Sequence, residues 1–296
     1  MMWTLGDAPG VRLFVADTKR KGNGMGKYPN LVDIDADEYH KAARDGQYLS
    51  SHLLGDFRKA PRLYKRKMTG EIEPADSAAL TFGRAVHTLV LEGRAKFDSE
   101  FMISDGPVNP KTGEPFGKTT RAYREWAEAQ KLTVVSGPDF NFMSKLQQAV
   151  WCHPVAGRLL DEGVSEKTLR TAYHGEMCQI RMDCFREDYE GRPVICDLKT
   201  CESVDHFEND AWRFGYPHQM AFYREVFAAG TDGTRPDCYL IAVEKREPFR
   251  VSVYKLTDAL LEQCARQNES AIDELHECRR TNVWHTRTED LRILDV

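Results

Sequence analysis

Residues 178–200, CQIRMDCFREDYEGRPVICDLKT, constrain the fold more than any other stretch of the 296-residue chain. Two runs that read as strands, 178–185 and 193–200, flank a polar connection of Arg186, Glu187, Asp188, Tyr189 and Glu190, with Gly191 and Pro193 as turn markers. This pattern predicts a β-hairpin. Side chains on a strand alternate faces, so Asp197 and Lys199 share one. If the hairpin is symmetric about Glu190, Asp183 stands opposite Asp197. Two carboxylates facing each other across a sheet repel. A divalent cation between them removes the conflict. An Asp followed on the next strand by Asp-x-Lys suits phosphodiester hydrolysis. The carboxylates hold Mg²⁺ or Mn²⁺, and the metal lowers the pKa of a bound water. The lysine positions that water or offsets charge developing on the phosphorane. Taken alone, Asp-x-Lys fits an exposed hairpin with scattered charges as well, because short motifs recur by accident.

Three other motifs narrow the choice. GRAVHTLVLEG, residues 83–93, carries His87 on a stretch with helical apolar spacing. QMAFY, residues 219–223, puts Gln219 and Tyr223 four apart and therefore on one helix face. With RMDCF (181–185) and CDLKT (196–200), these motifs resemble the PD-(D/E)xK nuclease superfamily. The resemblance is to its RecB-like branch, and within that to the RecE-type and lambda-exonuclease-like phage recombination exonucleases. The motifs occur in that family's order over residues 83–223, about half of the chain. Where much of the family has a glutamate, this chain has Asp197, which is also the RecE-type choice.

The resemblance implies a mixed α/β fold with a PD-(D/E)xK restriction-endonuclease-like core, a central mixed sheet flanked by helices. It implies metal binding by His87, Asp183 and Asp197, with the Leu198 carbonyl as a further ligand. Lys199 would act on the attacking water, and Gln219 would hold Lys199 or the DNA strand, supported by Tyr223. The implied activity is Mg²⁺-dependent (or Mn²⁺-dependent) digestion of linear double-stranded DNA from 5′ ends, leaving 3′ single-stranded tails for an annealing partner. A homo-oligomeric ring around DNA and a cytoplasmic setting, in a bacterium or a phage-infected host cell, go with it. A RecB-like endonuclease, a single-strand nuclease and a catalytically silent DNA-binding subunit on the same fold are the alternatives.

Composition is consistent with this class without selecting it. A hydrophobic share of 41% is ordinary for a globular protein. No apolar run approaches the ~20 residues that span a bilayer, and the first residues lack the order of a signal peptide. Eight cysteines form no C-x-x-C pair, which argues against zinc or iron–sulfur ligation and fits a reducing compartment. The net charge of −5 argues against indiscriminate nucleic-acid binding but leaves room for a local basic surface.

Along the chain, residues 1–36 read as strand or loop with a Gly/Lys-rich turn at 19–27. Helices are expected at 36–45, ended by Gly46, and from Ser50 or Ser51 onward, interrupted by Pro61. FRKAPRLYKRK, residues 57–67, is the densest basic run. It reads either as a solvated face or as a contact with the DNA backbone. Ser50, Arg58, Arg62, Lys118, Arg181 and Tyr223 are the candidate DNA contacts.

The next helix, 78–95, is capped by Asp76 or Ser77. In it Glu92 falls about 140° around from His87 at 3.6 residues per turn, so it is not an automatic co-ligand. A long loop at 105–118 and helices at 119–131, 138–150 and 155–160 follow. Strands are expected at 165–173 and 178–185, the first beginning near Glu166, an acid that related nucleases can bring toward the site. Helices at 203–214 and 217–229, a second hairpin within 238–256 and a last helix capped by Thr257 complete the chain. We read it as a single domain over 1–296, with 1–160 mainly helical and 161–296 carrying the sheet.

Overall fold

The computed structural model describes residues 27–73, 77–291 and Ile293, so all but the last residue of the Gly/Lys-rich turn at 19–27, and the Asp76 cap, lie outside the described residues. The chain opens with β1 (Val32–Asp33), α1 (Ala36–Arg44), α2 (Ser51–Lys59) and α3 (Pro61–Met68). Ser50 caps α2 by accepting from the Leu53 N–H. Pro61 occupies the first turn of α3, where its missing N–H costs nothing, and so divides the basic run into two helices.

Then comes α4 (Ala78–His87), capped by Ser77. The expected continuous helix to residue 95 does not form. From Thr88 to Glu92 the chain widens into a π-helical turn, closed by the Gly93 N–H donating to the Thr88 carbonyl, five residues back. Gly93, at φ 86°, ends it in a conformation that a side chain would strain. Such turns are rare and recur at functional sites.

The α5 helix (Arg94–Glu100), β2 (Phe101–Ile103), α6 (Arg121–Glu128), β3 (Thr133–Val135), α7 (Gly137–Cys152) and α8 (Pro154–Leu160) follow. β2 and β3 form a small parallel pair. Sequence periodicity does not announce it, because three residues are too few to show alternation.

The long elements of the sheet are β4 (Val164–Tyr173), β5 (Glu176–Tyr189) and β6 (Arg192–Cys201). After a 3₁₀ turn come α9 (Phe207–Phe214), α10 (Tyr216–Ala229), β7 (Asp237–Glu244), β8 (Val251–Lys255) and α11 (Asp258–Thr281). The six-stranded sheet has the order β1-β4-β5-β6-β7-β8. It is mixed: β6 and β7 run parallel, joined by the α9–α10 crossover, and the other neighbours are antiparallel. It is a mixed α/β fold, as the resemblance implies.

Two apolar layers sandwich the sheet. Leu54, Phe57, Met220, Phe227, Leu261 and Ile272 from α2, α10 and α11 pack with Ile180, Met182 and Ile195. Ala85, Val86, Leu89, Phe97, Leu146 and Leu159 from the α4–α8 region pack with Cys184, Cys196, Leu198 and Ile241. Met182 and Phe185 both join the first layer although they are three apart on one strand, which regular alternation would forbid. The dislocation falls at Asp183. Of the eight free cysteines, seven are buried and behave as small apolar residues. Among the described residues, no helix is long and apolar enough to cross a membrane.

Candidate active site

The hairpin register decides what meets at the centre. Cys184 pairs with Cys196, Phe185 with Ile195 and Arg186 with Val194, the symmetry about Glu190 that the sequence suggests, with an irregularity before Tyr189↔Arg192. One step further in that register lie Asp183 and Asp197. There the ladder gives way, and Asp183 Oδ2 instead accepts the Leu198 N–H at 2.8 Å.

On the other side of β5, Ser165 pairs with Cys184 and Lys167 with Met182, which sets Glu166 against Asp183. Glu166 has φ 58°, an uncommon conformation for a residue with a side chain. Departures of this kind cluster at functional sites. Three acids, Glu166, Asp183 and Asp197, therefore line up across three adjacent strands.

His87 reaches this row from the last residue of α4. Its Nδ1 lies 3.3 Å from Asp183 Oδ2, and its ring donates to the Leu198 carbonyl. His87, Glu166 and Asp183 each present a ligand atom, and these atoms all lie within 4.8 Å of one another. Burial lowers the His87 pKa, opposed by Asp183, so the imidazole favours its neutral, ligating form. Glu166 is pushed up to about 8, first by burial and then by the charge of Asp183. Arg181 holds Glu166 through a 2.8 Å ion pair. A neutral imidazole beside two crowded carboxylates is a donor set that a hard divalent cation fits, since the cation relieves the repulsion that raises the acid.

Asp197 has a different environment. It is fully buried, its Oδ1 accepts from Gln219 Nε2 at 2.9 Å, and its Oδ2 lies 2.5 Å from Lys199 Nζ. Burial raises its pKa to about 7 against the pull of Lys199. Burial would lower Lys199, but Asp197 and Asp183 outweigh it and leave the ammonium above its ordinary value. Gln219 also donates to the Tyr223 hydroxyl at 3.1 Å. The Tyr216 ring sits 4.8 Å from Lys199 Nζ, a cation–π contact. Both helical partners come from α10, whose Pro217 lies in its first turn.

The structure thus brings His87, Asp183, Lys199, the Leu198 carbonyl and Gln219 together. It sets Asp197 beside the group that could hold a metal ion, with both oxygens already engaged, and puts Glu166 into that group. Gln219 holds Asp197 where the resemblance had it holding Lys199 or the strand. The π turn moves Glu92 off its expected α-helical position. It lines a cavity of about 230 Å³ with Glu166, Arg181, Lys96 and Asp33 on the flank of the site.

Several candidate DNA contacts are placed elsewhere. Tyr223 is 3% exposed and engaged with Gln219, so it supports the site from within and has no surface to offer DNA. Ser50 is buried and spends its hydroxyl on the α2 cap. Arg62 Nε donates to the Trp284 carbonyl. Lys118 is tied to Asp139 at 2.7 Å, at the start of α7. Arg181 lies within the site, paired with Glu166. Arg58 faces a cavity on the α11 side.

Sequence reasoning missed His52 and His40. Both side chains are exposed at their outer edges and lie within reach of the site's charges. Burial, then Lys199, takes His52 down to about 4, and burial, then Arg181, lowers His40. The triplet Ser50-Ser51-His52 at a helix start was the available signal for the first.

Residues 50–295 match the family described as a PDDEXK-like domain of unknown function (DUF3799), and the chain belongs to that family. No curated protein matches it. Among solved structures, a Eubacterium rectale protein named as a candidate exonuclease superposes with a TM-score of 0.62 at 16% identity, covering 90% of this chain and 96% of its own. That likeness speaks for the fold. The structure of SSO0001 aligns at a TM-score of 0.25 and 15% identity over 44% of this chain and 66% of its own, too low to bear on the argument. The chain therefore carries a PD-(D/E)xK nuclease-type domain.

Proposed function

We propose that the protein is a metal-dependent deoxyribonuclease that digests linear double-stranded DNA from its ends, working 5′ to 3′ and leaving 3′ single strands for a recombination partner. The observation that carries the nuclease reading is the meeting of His87, Glu166 and Asp183 within 4.8 Å beside the buried Asp197–Lys199 pair. The Eubacterium rectale likeness supports the exonuclease choice, and the resemblance of the motifs to RecE-type enzymes supports the polarity and a ring-shaped homo-oligomer.

In this reading His87, Glu166 and Asp183 hold Mg²⁺ or Mn²⁺. When bound, such an ion polarises the phosphodiester and makes a nucleophile of water at neutral pH. The protein's own groups do the rest. The Leu198 N–H fixes Asp183 Oδ2, and the Leu198 carbonyl fixes the His87 ring, so the backbone of one residue of β6 orients two of the three donors. Asp197 pins the Lys199 ammonium, and Gln219 pins Asp197. Lys199 thereby stands ready to stabilise charge developing on the phosphate without reorganising during the reaction. Tyr223, buried under Gln219, keeps the amide from turning.

The test is cleavage of end-labelled duplex DNA by the purified protein with Mg²⁺ and with EDTA, the label placed on either the 5′ or the 3′ end. Loss of a 5′ label as mononucleotide, absent in EDTA, is the expected result. Closed circular DNA should survive, and its cutting would favour the endonuclease alternative. No cleavage of any substrate would favour the silent DNA-binding subunit.

A further inference from the structure

The larger cavity, about 490 Å³, lies away from the acids and is lined by Arg58 of α2, Gln263, Arg266, Gln267 and Ser270 of α11, and Arg287. Arg58 Nε and Nη1 are buried and have no hydrogen-bond partner among the described residues. Burial takes this guanidinium down to about 10, a sign that it lacks a compensating anion. The one acid on the cavity wall, Glu274, is already held by Arg287 at 2.5 Å and His285 at 2.9 Å. A guanidinium with two nitrogens buried and unpartnered is costly. Its forked donors match the oxygens of a phosphate group.

The cavity does not stand alone. Arg58 Nη2 comes so close to Gly215, in the turn between α9 and α10, that a Cβ there would lie 3.3 Å from it. Gly215 has φ 76°, so a side chain at that turn would be both strained and crowded. Two large aromatics stand exposed at this turn, Trp212 (51%) and Phe214 (55%). Trp212 meets the His218 ring edge-on at 6.1 Å, and His218 Nε2 is 2.6 Å from Gln267 of the cavity wall. Phe214 stacks on Tyr216, whose ring contacts Lys199 Nζ. Arg213 lies over the Phe214 ring. Exposed aromatics interleaved with guanidinium groups, continuous from the cavity to the catalytic lysine, have the make-up of a single-strand track: phosphates meet the cations and bases stack on the rings.

We propose that the α2–α11 cavity and the α9–α10 turn form a binding track for one nucleic-acid strand, with a backbone phosphate seated on Arg58 and Arg266 and bases stacked on Trp212 and Phe214. This deepens the nuclease reading, on which it rests for the choice of a nucleic acid as ligand. The track gives a strand leading to or from the Lys199 site a defined path over α10.

The test is fluorescence anisotropy of a labelled single-stranded oligonucleotide over a salt series, with Ca²⁺ in place of Mg²⁺ to suppress cleavage. Arg266 is exposed, so Arg266→Gln leaves folding intact even if Arg58→Gln does not. Each arginine removed should lower the slope of log affinity against log salt by about 0.7. Trp212→Ala should weaken binding roughly tenfold with little change of slope. Slopes and affinities that superimpose on the parent's overturn the proposal. So does a change confined to the binding of inorganic phosphate with oligonucleotide binding intact, which would make the cavity a small-anion site. Cleavage of duplex DNA, assayed in parallel, keeps the two readings apart. Normal cleavage with unchanged slopes sinks the track alone, whereas the expected slopes with no cleavage by the parent protein sink the nuclease reading alone.

Discussion

The two halves of the acid row differ in how complete they are. On the β6 side, Asp197 is fully buried and has a protein partner for each oxygen, from Lys199 and Gln219. On the β4–β5 side, Glu166 and Asp183 crowd each other in the half-open cleft with His87, and burial together with the Asp183 charge lifts Glu166 to about 8. One half is set before any ligand arrives. The other is arranged so that a divalent cation improves it. In the proposed reading, one sheet supplies both a rigid charge-stabilising group and a crowded acid pair that gains from a bound cation.

The strongest way to break this comparison is to remove a group from either half and compare the losses. Asp183→Asn should abolish metal-supported cleavage, a loss of about a thousandfold or more. Lys199→Ala and Asp197→Asn should cost a similar factor while duplex binding survives. Full activity in purified Lys199→Ala protein would end the assignment of the rigid half. Gln219→Ala removes a group that acts through Asp197, so roughly ten- to a hundredfold is expected in kcat with KM little changed. Tyr223→Phe, which removes only an acceptor for Gln219, should cost less, on the order of 1 kcal/mol.

A smaller effect sharpens the other half through stability alone. The folded-state pKa of Glu166 lies above its ordinary 4.5, at about 8, so the folded protein holds an extra proton between those values. Stability without metal therefore falls as pH rises through that window. Glu166→Gln should melt a few degrees above the parent near pH 8 in EDTA, and together with it near pH 4.5 or below. A gap that does not widen with pH would contradict the assigned environment. Smallest of all, Lys118→Ala and Arg62→Ala should change cleavage by no more than about twofold, because both side chains are engaged away from the acids.

Much of this arrangement was readable from residue order. Strand alternation puts Asp197 and Lys199 on one face, and hairpin symmetry puts Asp183 opposite, because both follow from the two-residue period of a strand. Helix caps at Ser50, Ser77 and Thr257 were visible for the same local reason.

What was not legible depends on non-local geometry. The resemblance allows Glu166 near the site, but not its place among the donors: the chain at the start of β4 turns to φ 58° and sets that acid against Asp183, a conformation that no nearby residue announces. The π turn after His87 lies in a sequence that reads as ordinary helix. Packing of its apolar residues against α7 and the sheet selects it. Tyr223 stands among the candidate DNA contacts and is instead 3% exposed, because α10 is buried on nearly all sides between the sheet and α11.

The most direct measurement is calorimetric titration of Mn²⁺ into the parent protein and into Glu166→Ala, Asp183→Asn and His87→Ala. The account predicts a binding event with proton release near pH 7, weakened at least roughly tenfold in each variant. Mn²⁺ affinity unchanged in all three would contradict it, since the ion would then be held, if at all, by other groups.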